Sequence, residues 1–385
     1  MKKLLILFII ILFAGCKNKS LVEPKYGASF DVESYLRDLK YPHLAEIYYK
    51  HGNFINTKHF PPIIQPKEVY AHLNDYLIID LRSLDAYIDG HINGAYHVDK
   101  HKVLDFLKNK EKASAYDKVV FVCYSGQTAS YVTGITRYAG FDNTYAMMFG
   151  MAGWNKNFAD PLLKGFGDRY PEMIEKAAYE TGVTNGHGAT TKHFDLSKLP
   201  ELPAQLPSIL IEKQAGKLLG LKRPEFLLKA DEFFPDLKAN PDKYYTIFYM
   251  DKAKFYEAHI RGSHQFTPRK DLSLDGRLTE IPTRKPVLIY CKTGHTGGNA
   301  AAYLGMIGYD AKNLIFGVGS FMYSLWKEKG WMPDINVWIN DYPFISGRKR
   351  LSGTIRNFQP DKKKATPVVK PATKRKKKAV SAGCG

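Results

Sequence analysis

A constant offset of 168 residues, the spacing of Cys123 and Cys291, maps one stretch of this chain onto another without a gap. The segment from Ala86 through Asp89, Gly90, His91, Ile92 and Gly94 lines up with the one from Lys254 through Glu257, Ala258, His259, Ile260 and Gly262. The same shift carries Gly126 onto Gly294, Thr128 onto Thr296, Gly140 onto Gly308 and Asp142 onto Asp310, and after one deletion Phe149-Gly150 pairs with Phe316-Gly317. A repeat of this length is a duplicated domain, so whatever the first half folds into, the second must fold into as well. A chain of 385 residues also exceeds what one ordinary core accommodates.

Within each half, short continuous apolar runs alternate with helical patterns. Leu77 to Leu81 and Lys118 to Cys123 read as strands buried on both faces, because the apolar residues are consecutive and not alternating. Ala129 to Tyr138 has helical length and stops at Gly140. In the second half Val287 to Tyr290 is the strand and Asn299 to Ile307 the helix, closed by Gly308. Strand, loop and helix in repeated order predict an α/β domain with a central parallel sheet.

A cysteine that ends such a strand and is followed by Cys-x-x-Gly-x-Thr and a helix sits where open α/β sheets bind ligands. Backbone N–H groups and the helix N-terminus favour an anion there and are expected to lower the thiol pKa. Gly126 permits the tight curl, and Thr128 offers a hydroxyl to the anion or a cap to the helix. A cysteine phosphatase would need His before the cysteine and Arg six residues after it. This chain has Val122 and Ala129 in one half, Tyr290 and Gly297 in the other.

Asp80-Leu81-Arg82, then Asp89-Gly90-His91-Ile92-Asn93-Gly94-Ala95, then Cys123-Tyr124-Ser125-Gly126-Gln127-Thr128 resemble the successive motifs of rhodanese domains. The resemblance spans roughly residues 66 to 158, and more loosely 224 to 330. It implies an α/β fold of two rhodanese-like domains, each a central parallel sheet flanked by helices. It also implies sulfur transfer: Cys123 and Cys291 would take a sulfane sulfur from a thiosulfate- or mercaptopyruvate-like anion, hold it as a persulfide and pass it to a thiol or cyanide. That chemistry requires no metal and no organic cofactor. Tyr124, Ser125, Gly126, Gln127 and Thr128 would form one substrate loop, and Lys292, Thr293, Gly294, His295 and Thr296 the other. Lys292 and His295 would attract an anionic donor more strongly than Tyr124 and Gln127. Asp80 and Arg82 resemble the family's structural pair, replaced by Phe248 and Met250 in the second half, while His91 and His259 would fix the loop after the strand. The alternative is a non-catalytic rhodanese-like module that binds a partner or senses sulfane sulfur.

Outside the repeat, Lys2 and Lys3 precede an apolar run from Leu4 to Phe13, too short to span a bilayer. Phe13-Ala14-Gly15-Cys16 resembles the lipobox of bacterial lipoproteins, which predicts a signal peptide over 1–16, lipidation of Cys16 and a place in the cell envelope. Residues 17–60 read as an N-terminal extension, 61–160 as the first domain, 161–222 as a segment wrapping the first domain before becoming linker, 223–345 as the second domain and 346–385 as a basic tail. Of the formal charge of +18, a net +12 lies between Arg348 and Lys378, where thirteen Lys or Arg meet only Asp361. The body is mildly basic, so no groove for nucleic acid is implied; the tail suits an anionic membrane surface. Cys384 lies in that tail, where it reads as an incidental thiol, the alternative being an acceptor arm within reach of a cysteine loop. Four cysteines with no close pair suggest neither a disulfide framework nor a metal cluster.

Overall fold

The computed structural model describes Ala45, residues 53–109, Ala113 and residues 115–176 and 206–348. Cys16, the tail beyond Arg348 and Cys384 lie outside the described residues. In the first half, strands β1 (Ile63–Ile64), β2 (Tyr76–Asp80), β3 (Tyr96–His97), β4 (Lys118–Val122) and β5 (Thr144–Met147) form a sheet of order β1-β5-β4-β2-β3, every pairing parallel. After a short strand β6 (Ile174–Glu175), the second half builds β7 (Leu227–Leu228), β8 (Tyr245–Tyr249), β9 (His259–Ile260), β10 (His264–Phe266), β11 (Val287–Tyr290) and β12 (Ala311–Leu314). Its main sheet, β7-β12-β11-β8-β10, repeats the first strand for strand and is likewise parallel. β4 and β11 are the central strands, and their apolar runs are buried on both faces as the sequence requires.

Three helices meet between the sheets: α1 (Gln127–Tyr138), α2 (Leu206–Gly220) and α3 (His295–Met306). Small residues let α1 and α3 approach closely. A Cβ on Gly134 would come within 2.6 Å of Ala302 Cβ, and one on Gly298 within 3.2 Å of Ser130 Cβ. Both pairs are residues facing their own counterparts in the repeat, so the two halves are related by a pseudo-twofold axis through this contact. Hydroxyls buried in α1 bond back into the helix: Ser130 Oγ donates to Gly126 O at 2.8 Å and Thr133 Oγ1 to Ala129 O at 2.7 Å. One apolar cluster runs through both halves, from Leu77 and Phe121 by way of Tyr131 and Leu218 to Ile247 and Ile289.

The segment after the first domain departs from the sequence reading. Its described residues do not all lie on that domain. Residues 166–175 cross to the second, where Gly167 N donates to Gly319 O at 2.9 Å, Arg169 N to Phe321 O at 3.1 Å, and β6 pairs antiparallel with β9. The end of the second domain returns the exchange. Asn340 N donates to Gly153 O at 3.1 Å, Tyr342 N to Trp154 O at 3.1 Å, and Ile345 bridges His91. Each half thus supplies an arm that extends the other. Within 161–222, residues 206–220 form α2 and are not linker; α2 packs across both halves, with Gln214 Nε2 donating to Gly305 O at 2.7 Å.

Candidate active site

Cys123 and Cys291 immediately follow the central strands, and each chain then curls through three residues into a helix. The curl needs a positive φ, supplied by Gly126 (φ 78°) and Gly294 (φ 82°), a conformation that costs any residue with a Cβ. Cys123 Sγ accepts a hydrogen bond from Ala129 N at 3.4 Å, and Cys291 Sγ one from Gly297 N at 3.2 Å. The N–H groups of Ser125, Gly126 and Thr128 also bear on the first sulfur, those of Thr293, Gly294 and Thr296 on the second. The result is two concave rings of backbone donors around two sulfurs, a geometry that favours a thiolate or the outer atom of an anion.

Both thiols are free and buried, each 3% exposed. Burial pushes the thiol pKa of each up, against the pull of the backbone donors. This corrects the expectation of a lowered value: taking the sulfur out of water disfavours its charge more than the backbone donors to the thiolate recover.

A second layer fixes each loop from behind. Met151 N donates to Cys123 O at 2.9 Å and Ala152 N to Tyr124 O at 3.0 Å; Val318 N and Gly319 N do the same for Cys291 O and Lys292 O at 2.9 and 3.1 Å. The chain passes so close there that a Cβ on Gly150 (φ 52°) would lie 2.2 Å from Cys123 O. Phe149, Gly150, Phe316 and Gly317 had appeared in the sequence only as a recurring Phe-Gly pair; that recurrence was the available signal for their role.

The remaining loop residues divide. Tyr124 is exposed at the first rim, with its hydroxyl 3.0 Å from Ser83 Oγ, and Ser125, Thr128 and Thr296 are partly open beside the sulfurs. Lys292, the counterpart of Tyr124, is half-buried at the second rim near Lys254; burial and the Lys254 charge lower its pKa. Lys254 is paired with Asp251. Thr293 turns its hydroxyl to His295 Nδ1 at 3.1 Å. Gln127 and His295 do not face their own sulfurs. His295 is 1% exposed and burial depresses its pKa to about 4, so it is a neutral imidazole and cannot attract an anionic donor as the sequence suggested. Its Nε2 accepts from Phe149 N at 3.0 Å, in the other domain. Gln127 Nε2 donates to Thr293 O at 3.1 Å, and its Oε1 lies 3.3 Å from Phe316 N.

The supporting residues are placed as supports. Arg82 and Asp80 form a buried fork, Nε to Oδ1 at 3.0 Å and Nη2 to Oδ2 at 2.6 Å, and Nη2 also donates to Gly90 O at 2.5 Å. That ties the end of β2 to the turn before His91. His91 Nδ1 lies 2.7 Å from Tyr87 O, with the ring stacked on Tyr87; His259 repeats this on Phe255 O at 2.7 Å and reaches Glu175 Oε1 at 3.3 Å. In the second half Phe248 packs against Phe255 and Tyr290, an apolar substitute for the ion pair. Among the described residues no three His, Cys, Asp or Glu gather as a metal site, and no helix is long and apolar enough to cross a membrane.

A family profile described as the rhodanese-like domain matches residues 65–157 and again 239–322. The thiosulfate sulfurtransferase GlpE of Pseudomonas paraeruginosa is 31% identical over 81 residues, which cover 71% of that protein and 21% of this chain. The chain is a tandem member of the rhodanese family. The GlpE protein of Pseudomonas entomophila is 29% identical over 103 residues, 92% of its length and 26% of this rhodanese. Among solved structures, a thiosulfate sulfurtransferase from Pseudomonas aeruginosa aligns over 79% of this chain and 70% of its own, at 13% identity and a TM-score of 0.25. A rhodanese-like domain protein from Staphylococcus aureus aligns over 24% of this chain and 90% of its own, at 20% identity and a TM-score of 0.21.

Proposed function

We propose that this tandem rhodanese is a sulfurtransferase whose two cysteines carry sulfur as persulfides. The observation that supports this reading is the pair of sulfurs at the ends of β4 and β11, each inside a ring of backbone N–H groups with a helix N–H aimed at it. The thiol first loses its proton to solvent. The thiolate attacks the outer sulfur of an anionic donor such as thiosulfate, the donor's S–S bond breaks, and the leaving anion departs with the electron pair. The backbone donors then hold the outer sulfur of the persulfide. An acceptor thiolate or cyanide attacks that outer sulfur, the bond to Cys Sγ breaks, and the thiolate returns. No net oxidation occurs at the protein, and the donor ring is worth most where sulfur carries charge.

The rims support different partners for the two loops. Lys292, beside the Lys254–Asp251 ion pair, makes the second rim cationic and suited to the anionic donor, whereas Tyr124 and Ser83 leave the first neutral. Incubation with thiosulfate followed by intact mass measurement tests the proposal, with Cys123→Ala, Cys291→Ala and the double variant alongside. Wild type should gain sulfur and the double variant none; a wild-type protein that gains no sulfur from thiosulfate or mercaptopyruvate refutes it. A non-catalytic sensing or binding module draws on the burial of both thiols. Such a protein would take up sulfur once and fail to pass it to cyanide.

A further inference from the structure

Gln127 and His295 hold equivalent positions in the repeat, the first residue of α1 and of α3, and each reaches past its own loop into the other. His295 Nε2 accepts from Phe149 N at 3.0 Å. Phe149, itself at a φ of 58°, turns the chain into Gly150 and the two N–H groups that bind the carbonyls of Cys123 and Tyr124. On the other side of the axis Gln127 Oε1 lies 3.3 Å from Phe316 N and 3.4 Å from Asn313 Nδ2, and its Nε2 donates to Thr293 O. Phe316 (φ 62°) leads in the same way into the N–H groups that bind Cys291 and Lys292. The fit is tight: a Cβ on Gly126 would lie 2.4 Å from His295 Nε2, and one on Gly294 2.0 Å from Gln127 Oε1.

Neither side chain is needed to close the helix contact, which small residues already achieve. Both are polar and buried, 2% and 1% exposed, an arrangement that costs stability unless the partners are well placed. Each makes one contact within its own loop, Gln127 Nε2 to Ser125 O at 3.3 Å and His295 Nδ1 with Thr293 Oγ1 at 3.1 Å, but Phe149 N, Phe316 N and Thr293 O, the backbone groups they reach across the axis, shape the opposite cysteine loop. We infer that the two loops are braced crosswise: His295 is a positioning residue for Cys123, and Gln127 a positioning residue for Cys291. Each domain therefore completes its cysteine loop only in the presence of the other.

The inference rests on the persulfide reading only for its sulfur-loading readout. In the full chain, His295→Ala and Gln127→Ala are compared by thiosulfate loading and, in parallel, by iodoacetamide alkylation. The peptides that contain Cys123 and Cys291 are quantified separately. Leaving Phe149 N unpaired should lower loading and alkylation at Cys123 by about ten-fold relative to Cys291, equivalent to about 1.4 kcal/mol. Gln127→Ala should produce the reverse bias. His295→Gln places a carboxamide where Gln127 already demonstrates one, and should return Cys123 to within about two-fold of wild type. A purely structural role would slow both cysteines together and would give no crossed pattern. Equal slowing, or slowing of each variant's own loop, overturns the inference. Should His295→Ala not fold, His295→Asn, too short to reach Phe149 N, carries the same comparison. If wild type takes up no sulfur, the sulfur-transfer reading fails and the alkylation rates alone decide the brace.

Discussion

Replacing His295 by glutamine should flatten the acid side of the stability curve. The imidazole is buried and its pKa lies at about 4, against an ordinary 6.5, because burial disfavours the charged ring. In the folded chain it stays neutral, accepting from Phe149 N. In the unfolded chain it binds a proton below 6.5. The unfolded state therefore holds more protons between 6.5 and 4, and stability present above that window is lost as pH falls through it. Lowering the pH from about 7.5 to about 5 should remove about 2 kcal/mol by this group alone, out of about 3 kcal/mol across the whole window. Burial also lowers the pKa of His259 and His264, but both titrate in either protein and cancel in the comparison. Urea unfolding of wild type and His295→Gln at the two pH values measures the difference directly. Wild type should lose about 2 kcal/mol more than the variant on acidification. Losses equal within about 0.5 kcal/mol would show that the ring is not held neutral and would refute the reasoning.

Gly150→Ala should destabilise the protein by about 2 kcal/mol or more in urea unfolding and abolish sulfur loading at Cys123, since a side chain at that positive φ collides with Cys123 O; an effect under about 0.5 kcal/mol would contradict the close approach. Asp80→Asn should cost about 3 kcal/mol by stranding the buried Arg82 guanidinium, and the double change Asp80→Phe with Arg82→Met, copying the second half, should cost less than the single one. Alkylation of Cys123 in a Cys291→Ala background should keep rising past pH 9.0, because burial raises the thiol above its ordinary value; a plateau below about pH 8 would point to a standing thiolate instead.

The repeat, the parallel sheets and the position of both cysteines were legible because they rest on local signals. Continuous apolar runs such as Val119 to Val122 have no stable place except a sheet covered on both faces. Helices α1 and α3 begin two and four residues earlier than their apolar patterns suggest, since Gln127 and His295 are polar yet buried. That same fact hid their role: a polar residue between a cysteine loop and a helix reads identically whether it faces its own sulfur or a neighbouring domain. The direction of the thiol pKa shift escaped for a related reason. Backbone donors are visible in the spacing of Gly126 and Thr128, whereas the depth of Cys123 is set by packing from distant segments. The exchanged arms were illegible because residues 166–175 and 338–347 carry little periodicity and take their structure from the surface on which they lie.

Those arms have a consequence for how the protein is made. When the first domain leaves the ribosome, the stretch that will accept the Trp154 indole N–H at Pro343 O, stack Tyr342 on Tyr70 and bridge His91 has not yet been translated. The domain must wait with that edge open until nearly the last described residue is synthesised, while its own arm is already available to the second domain. Vectorial synthesis therefore hands the completed edge to the second domain first, and the first is sealed last.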